Sequence, residues 1–257
     1  SALLALTLAG SVCACAAKDE PTQPATEAAT APTEAAAPAA EAFTKDKKGA
    51  TEFTRQINEN VYQLLDFNDK QEEEFATHGF ITAPDSLQIA GSNGNIVFNQ
   101  DAYDFVRGTE APDSANPSLW RNTQLNAYYG LFEVQEGIYQ VRGYDLSNLT
   151  FVKSDNGWII LDCLATENTA RAALELFESQ MGEANIVAVI ISHAHVDHYG
   201  GIRGLISEED VADPSLPLDA QIASGKTAII VPQGFEEAVM SENVFVGTAM
   251  KRRSIYQ

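Results

Sequence analysis

Three of the four histidines in this 257-residue sequence fall within six positions, in the run His193-Ala194-His195-Val196-Asp197-His198. In extended backbone, residues two apart project to the same side, so His193 and His195 can hold one metal ion together. As the chain turns toward a helix, Asp197 and His198 are re-aimed and can reach a second ion nearby. Imidazole and carboxylate are the ligands expected for zinc or a similar borderline metal. A purely structural zinc site would recruit cysteine, and Cys163 is the only cysteine outside the first sixteen residues. A surface loop of merely titrating histidines has no use for three imidazoles and an acid at this spacing. The pattern therefore reads as a catalytic metal centre, and Gly200-Gly201 behind it lets the backbone turn sharply and pack close.

The surrounding elements can be read from hydrophobic patterning. Ile186-Val187-Ala188-Val189-Ile190-Ile191 is a continuous apolar run, expected as a strand covered on both faces and ending at the histidine loop. Thr166 to Met181 is an amphipathic helix, capped by Thr166 and followed by Gly182. Trp158-Ile159-Ile160-Leu161 reads as a buried strand ending at Asp162, entered through the turn Ser154-Asp155-Asn156-Gly157. Val134 to Val141 and Leu149 to Val152 carry strand-like alternation, and Asn93-Gly94 between apolar runs predicts a hairpin. Ile57, Val61, Leu64 and Leu65 predict one or two helices over 52–78. After the loop, a helix is expected over Ile202–Ile206, an irregular segment over Asp213–Gly225 and a buried strand over Thr227–Val231. Strands joined by helical crossovers make the class α/β.

Composition narrows the function. Lys and Arg total 16 against 36 Asp and Glu, for a net charge of −20 and pI ≈ 4.4. No basic stripe exists to follow a phosphate backbone, so nucleic acid is excluded as a partner. No apolar run reaches the ~20 residues of a membrane-spanning helix. With so few cysteines, a disulfide scaffold is ruled out. An acidic body repels anions at long range, so an anion site here needs its own concentrated positive charge.

Residues 1–16 read as a secretory leader whose basic start is missing. Within it, Val12-Cys13-Ala14-Cys15 is similar to a lipoprotein box with Cys15 as the lipidated residue; plain cleavage near Ala16 is the alternative. Residues 17–42, almost wholly Ala, Pro, Thr and Glu, have nothing large to bury and are expected to be a disordered tether. The catalytic body is then 43–257. Met250 to Gln257 stops as the middle of a helix would, so the sequence is expected to be part of a longer chain. Export to the outside of a bacterial membrane, anchored or free, is the expected localisation.

His-x-His-x-Asp-His after a buried strand, followed by Gly-Gly, resembles the metallo-β-lactamase superfamily. Asn116-Pro117-Ser118-Leu119-Trp120-Arg121, Gly130-Leu131-Phe132-Glu133-Val134 and Gly137 to Asn148 are similar to the zinc-dependent alkyl sulfatases within it. So are Ala172 to Leu176, Ser241-Glu242-Asn243-Val244 and Ala249-Met250-Lys251-Arg252-Arg253. The likeness runs from about Thr51 to Gln257. Cys163 departs from it, standing where proline or a small residue is expected.

The resemblance implies an αββα sandwich, incomplete here, and hydrolysis of a long-chain alkyl sulfate to an alcohol and inorganic sulfate. It implies two zinc ions, the first held by His193 and His195 and the second by Asp197 and His198, with further ligands expected beyond residue 257. Asp197 would also accept a hydrogen bond from the attacking water. A homodimer of the longer parent is expected. Arg252, Arg253 and Asn243 are weak candidates for substrate contacts. Trp120 and Trp158 read as core, His78 as structural and Cys163 as a buried small residue. The competing readings are another hydrolase of the same fold, acting on a lactam, lactone or thioester, and an anchored binding protein without turnover.

Overall fold

The computed structural model describes residues 49–253. The leader with Cys13 and Cys15, the 17–42 tract and residues 254–257 lie outside the described residues.

The chain enters through two exposed helices, α1 (Glu52–Leu64) and α2 (Gln71–Thr77), which together bury no residue. Thr51 starts α1 by accepting the Thr54 N–H at 3.1 Å, satisfying a donor that the first turn cannot. A third helix, α3 (Pro117–Asn126), starts on Asn116, whose side chain accepts the Ser118 N–H at 2.9 Å, with Pro117 in the first turn. Arg121 on α3 ties this layer together, donating to the Asp66 and Asp69 carbonyls at 3.1 and 2.5 Å and pairing with Glu72.

Seven strands form one sheet: β1 (Phe80–Thr82), β4 (Gly130–Gln135), β5 (Ile138–Arg142), β6 (Leu149–Ser154), β7 (Gly157–Leu161), β8 (Ile186–Ile190) and β9 (Ala228–Ile230), side by side in that order. Pairing is antiparallel from β1 through β7 and parallel from β7 to β9. The switch falls at the helix α4 (Glu167–Met181), the crossover that carries the chain from β7 back to start β8 alongside it. The hairpin expected at Asn93-Gly94 is a separate pair, β2 (Gln88–Ala90) with β3 (Ile96–Asn99).

The core lies between α4 and the sheet. Phe177 of α4 stacks on Phe151 of β6, with ring centroids 3.8 Å apart and planes within 3°, while Trp158 and Tyr139 meet it edge-on. Ala170 and Ala173 on the same helix are fully buried. Thr166 caps α4 as expected, and Asp145 braces that end by accepting the Ala165 N–H and the Thr169 hydroxyl.

Several expectations need correction. Trp158–Leu161 and Thr227–Val231 are strands but only partly buried: Leu161 and Ile229, on opposite faces of the sheet, are each 37% exposed. The helix expected over Ile202–Ile206 is only a short 3-10 turn, Ile202–Gly204. The segment expected to be irregular contains a helix, α6 (Leu218–Ala223), nested behind Pro217. Trp120 is half-buried in the outer helical layer, its indole N–H donating to the Thr109 carbonyl, and is not part of the core. Among the described residues no helix is long and apolar enough to cross a membrane.

Candidate metal centre

The histidine loop leaves the carboxyl end of β8, where the parallel strands of an α/β sheet open a crevice. Parallel pairing places the end of β7 alongside it, and Asp162 sits there with φ +60°, a left-handed conformation that asparagine and aspartate tolerate better than most residues. Its carboxylate accepts three hydrogen bonds: the Ser192 N–H at 2.7 Å, the Ser192 hydroxyl at 2.8 Å and Nδ1–H of His198 at 2.8 Å. One strand end thus holds both ends of the histidine loop.

The helix α5 (Val196–Tyr199) supplies the turn that re-aims the second pair of side chains. Its backbone is locked to the segment after β7, the Cys163 N–H donating to the His198 carbonyl at 2.7 Å and the Gly201 N–H to the Leu164 carbonyl at 2.9 Å. A side chain at Gly201 would place its Cβ 2.1 Å from the Cys163 carbonyl oxygen, so only glycine allows this approach. From the other side the Ser147 hydroxyl donates to the Asp197 carbonyl.

Within this frame His193 Nε2 stands 3.0 Å from His195 Nδ1, and His198 Nε2 stands 3.2 Å from Asp197 Oδ2. The His193 and His198 rings lie with centroids 4.0 Å apart, so the two pairs adjoin. All four residues read from the sequence are therefore brought together. His78 is not among them; it is exposed at the end of α2. Asn243 is also exposed, its amide donating to the Val239 carbonyl, and Arg252 and Arg253 are exposed in the last turn of α8 (Gly247–Arg253). Cys163 is fully buried, and burial pushes its thiol up to about 12, which leaves no thiolate for nucleophilic work.

Proton placement follows from which groups can only accept. The Ser192 hydroxyl gives its one proton to the Asp162 carboxylate, so toward His193 Nδ1 it can only accept, at 2.8 Å. Neutral His193 then carries its proton on Nδ1 and turns a lone pair from Nε2 toward His195. His195 Nε2 lies 3.1 Å from the Glu242 carboxylate, an ion-pair distance; with its proton on that nitrogen, turned to the carboxylate, its Nδ1 is also a lone pair. Likewise His198 donates from Nδ1 to Asp162 and turns a lone pair from Nε2 toward the Asp197 carboxylate. At both contacts an acceptor faces an acceptor, an arrangement that only a cation or an added proton reconciles.

The donor set thus fits metal: two adjoining pairs of imidazole and carboxylate donors, with His193 and His198 each held by a hydrogen bond at the other nitrogen and His195 facing Glu242 at its own. Each pair supplies two ligands; among the described residues no three His, Cys, Asp or Glu side chains are arranged to hold an ion by themselves. Sequence reasoning took Asp162 only as the end of a strand and passed over Ser192 and Glu242. Ser192 adjoins His193, which is a local signal. Glu242 lies in the Ser241-Glu242-Asn243-Val244 block, in which only Asn243 reads as a candidate from sequence.

Residues 142–233, from the end of β5 to the turn that follows β9, match the metallo-beta-lactamase superfamily. The chain has the fold of that superfamily. It is 44% identical over 210 residues to a linear primary-alkylsulfatase of Pseudomonas sp., covering 81% of this chain and 30% of that protein. It is 40% identical over 204 residues to the alkyl/aryl-sulfatase BDS1 of Saccharomyces cerevisiae, covering 79% and 30% respectively. Among solved structures, the stereoselective inverting sec-alkylsulfatase Pisa1 from Pseudomonas sp. aligns with a TM-score of 0.73 at 44% identity, covering 84% of this chain and 32% of that one. The chain spans about a third of the length of these relatives.

Proposed function

We propose that this chain carries the metal loop of a hydrolase that cleaves alkyl sulfate esters, such as dodecyl sulfate, to an alcohol and inorganic sulfate. The observation that carries the metal part of this reading is the pair of acceptor-to-acceptor contacts, His193 with His195 and His198 with Asp197. The choice of substrate rests on the similarity to alkylsulfatases over about four-fifths of the chain.

In this reading His193 and His195 hold one zinc ion and Asp197 and His198 a second. Bound zinc would supply the concentrated positive charge that a sulfate ester needs near so acidic a protein, and would acidify water toward a pKa of about 7. Asp162 and Ser192 keep the protons of His193 and His198 on their outer nitrogens, so the inner lone pairs stay available. Asp197 turns one oxygen to His198 and keeps lone pairs with which to accept a hydrogen bond from the attacking water.

The alkyl tail needs an apolar wall. Residues 240–246, held beside the loop through Glu242, present Met240, Val244 and Phe245, of which Phe245 is 89% exposed. Each methylene buried there would contribute about 0.8 kcal/mol. Export, lipidation at Cys15 and a homodimeric parent belong to the same reading and rest on sequence alone.

The test pairs metal content, by plasma mass spectrometry, with sulfate release from dodecyl sulfate. Zinc bound at the loop with sulfate released supports the reading. A zinc-loaded protein inert toward alkyl sulfates but hydrolysing a chromogenic β-lactam would replace the substrate. Absence of bound metal would remove the mechanism.

A further inference from the structure

A short helix α7 (Phe235–Val239) runs directly into a π-helical turn, Met240–Phe245, and both lie outside the α/β core. Two contacts join this segment to the histidine loop. Phe235 meets Tyr199 edge-on, with centroids 5.4 Å apart, and Glu242 Oε1 lies 3.1 Å from His195 Nε2. Seven residues separate Phe235 from Glu242, close to two helical turns, so both side chains come to the same side. The π turn, closed by the Val246 N–H donating to the Ser241 carbonyl at 3.0 Å, widens the helix at the point where Glu242 reaches out.

His195 is the one histidine of the three that Asp162 and Ser192 do not orient. Its ring is half-exposed, so water alone would leave both tautomers populated. We propose that Glu242 is the positioning residue for His195: by accepting its Nε2–H, the carboxylate keeps the Nδ1 lone pair aimed at His193 Nε2, as a shared metal ion requires. The inference rests on the metal-loop reading above and adds a residue that touches neither metal nor substrate. It also divides the histidines by origin: His198 and His193 are oriented from the end of β7, by Asp162 directly and through Ser192, whereas His195 is oriented from a peripheral helical segment that buries no residue.

The experiment uses the full chain with 15N-labelled histidine. Long-range proton–nitrogen NMR at pH 8 on the metal-free protein reports which nitrogen of His195 carries the proton, and competition with a chromophoric chelator reports zinc affinity. Wild-type protein is expected to hold the proton on Nε2. Glu242→Ala is expected to give mixed tautomers at His195 alone and ten- to hundredfold weaker zinc binding, with the unfolding temperature unchanged. Glu242→Gln, which keeps an acceptor oxygen, is expected to retain the tautomer and recover most of the affinity. A Glu242→Ala protein with the wild-type tautomer and zinc affinity within twofold would overturn the proposal. A wild type that binds no zinc, while Glu242→Ala still scrambles the tautomer, would sink the metal reading and leave Glu242 as the orienting partner of His195.

Discussion

Asp162 Oδ2 lies 2.8 Å from Nδ1 of His198, a residue 36 positions further along the chain. The same carboxylate holds Ser192, the residue before His193, so one side chain at the end of β7 ties down both ends of the loop. Its left-handed backbone is a strain of about 1–3 kcal/mol that these hydrogen bonds offset.

Asp162→Asn separates the carboxylate's role from the backbone's, since asparagine tolerates the same left-handed conformation. Zinc affinity is expected to fall ten- to hundredfold while the fold persists. Chelator competition and circular dichroism check this; unchanged affinity would mean that the bond to His198 is ornamental.

Added zinc should raise the unfolding temperature and a chelator should return it to the metal-free value. At a hundred times its dissociation constant a ligand adds about 2.7 kcal/mol of stability. The expected gain is smaller in His193→Ala or His198→Ala, each of which removes one member of a pair. Scanning calorimetry with and without zinc decides it.

Two glycines provide a contrast. A Cβ at Gly201 would collide with the Cys163 carbonyl at 2.1 Å, whereas one at Gly247 meets nothing within 4 Å. Gly201→Ala is therefore expected to cost at least the 1–3 kcal/mol typical of overpacking, roughly, and to displace the histidine loop. Gly247→Ala should be near neutral. Equal urea midpoints for the two variants would contradict the close packing of the loop.

Phe177 of α4 is fully buried and meets three aromatic partners in the core. Phe177→Ala should destabilise by about 3–5 kcal/mol. Loss of near-ultraviolet dichroism from Trp158 at lower urea is the readout.

Stability should fall in alkali. Burial raises the Cys163 thiol from 9.0 to about 12 and the Tyr144 hydroxyl from 10.0 to about 12. A raised folded-state pKa means the unfolded chain releases its proton first, so stability is complete below pH 9 and declines as pH rises toward 12. The slope contributed by each group is at most about 1.4 kcal/mol per pH unit. Urea titrations at pH 8, 9.5 and 10.5 should show the decline, and Cys163→Ala should remove the part that begins near pH 9. A flat profile in the wild type would show that neither group is held protonated.

The histidine loop was legible because its signal is local. Three rare residues and an acid at fixed spacing, directly after an apolar run, need no knowledge of what lies across the fold. The cap at Thr166 and the hairpin at Asn93-Gly94 were legible for the same reason, each being a matter of three or four neighbouring residues. The helix α6 was missed because its six residues carry no apolar period long enough to read, and its start depends on Pro217.

Asp162 and Glu242 could not be singled out among the 36 acidic residues of the chain. Nothing near them in sequence differs from a solvated carboxylate. Their meaning comes from parallel pairing of β7 with β8, which sets Asp162 beside Ser192, and from the helical segment after β9, which carries Glu242 to His195. The sequence by itself determined which atoms could bind a metal, because ligand chemistry belongs to residue type. Tertiary structure alone decided where each imidazole keeps its proton, because that depends on acceptors that strand pairing and helix packing bring from distant parts of the chain.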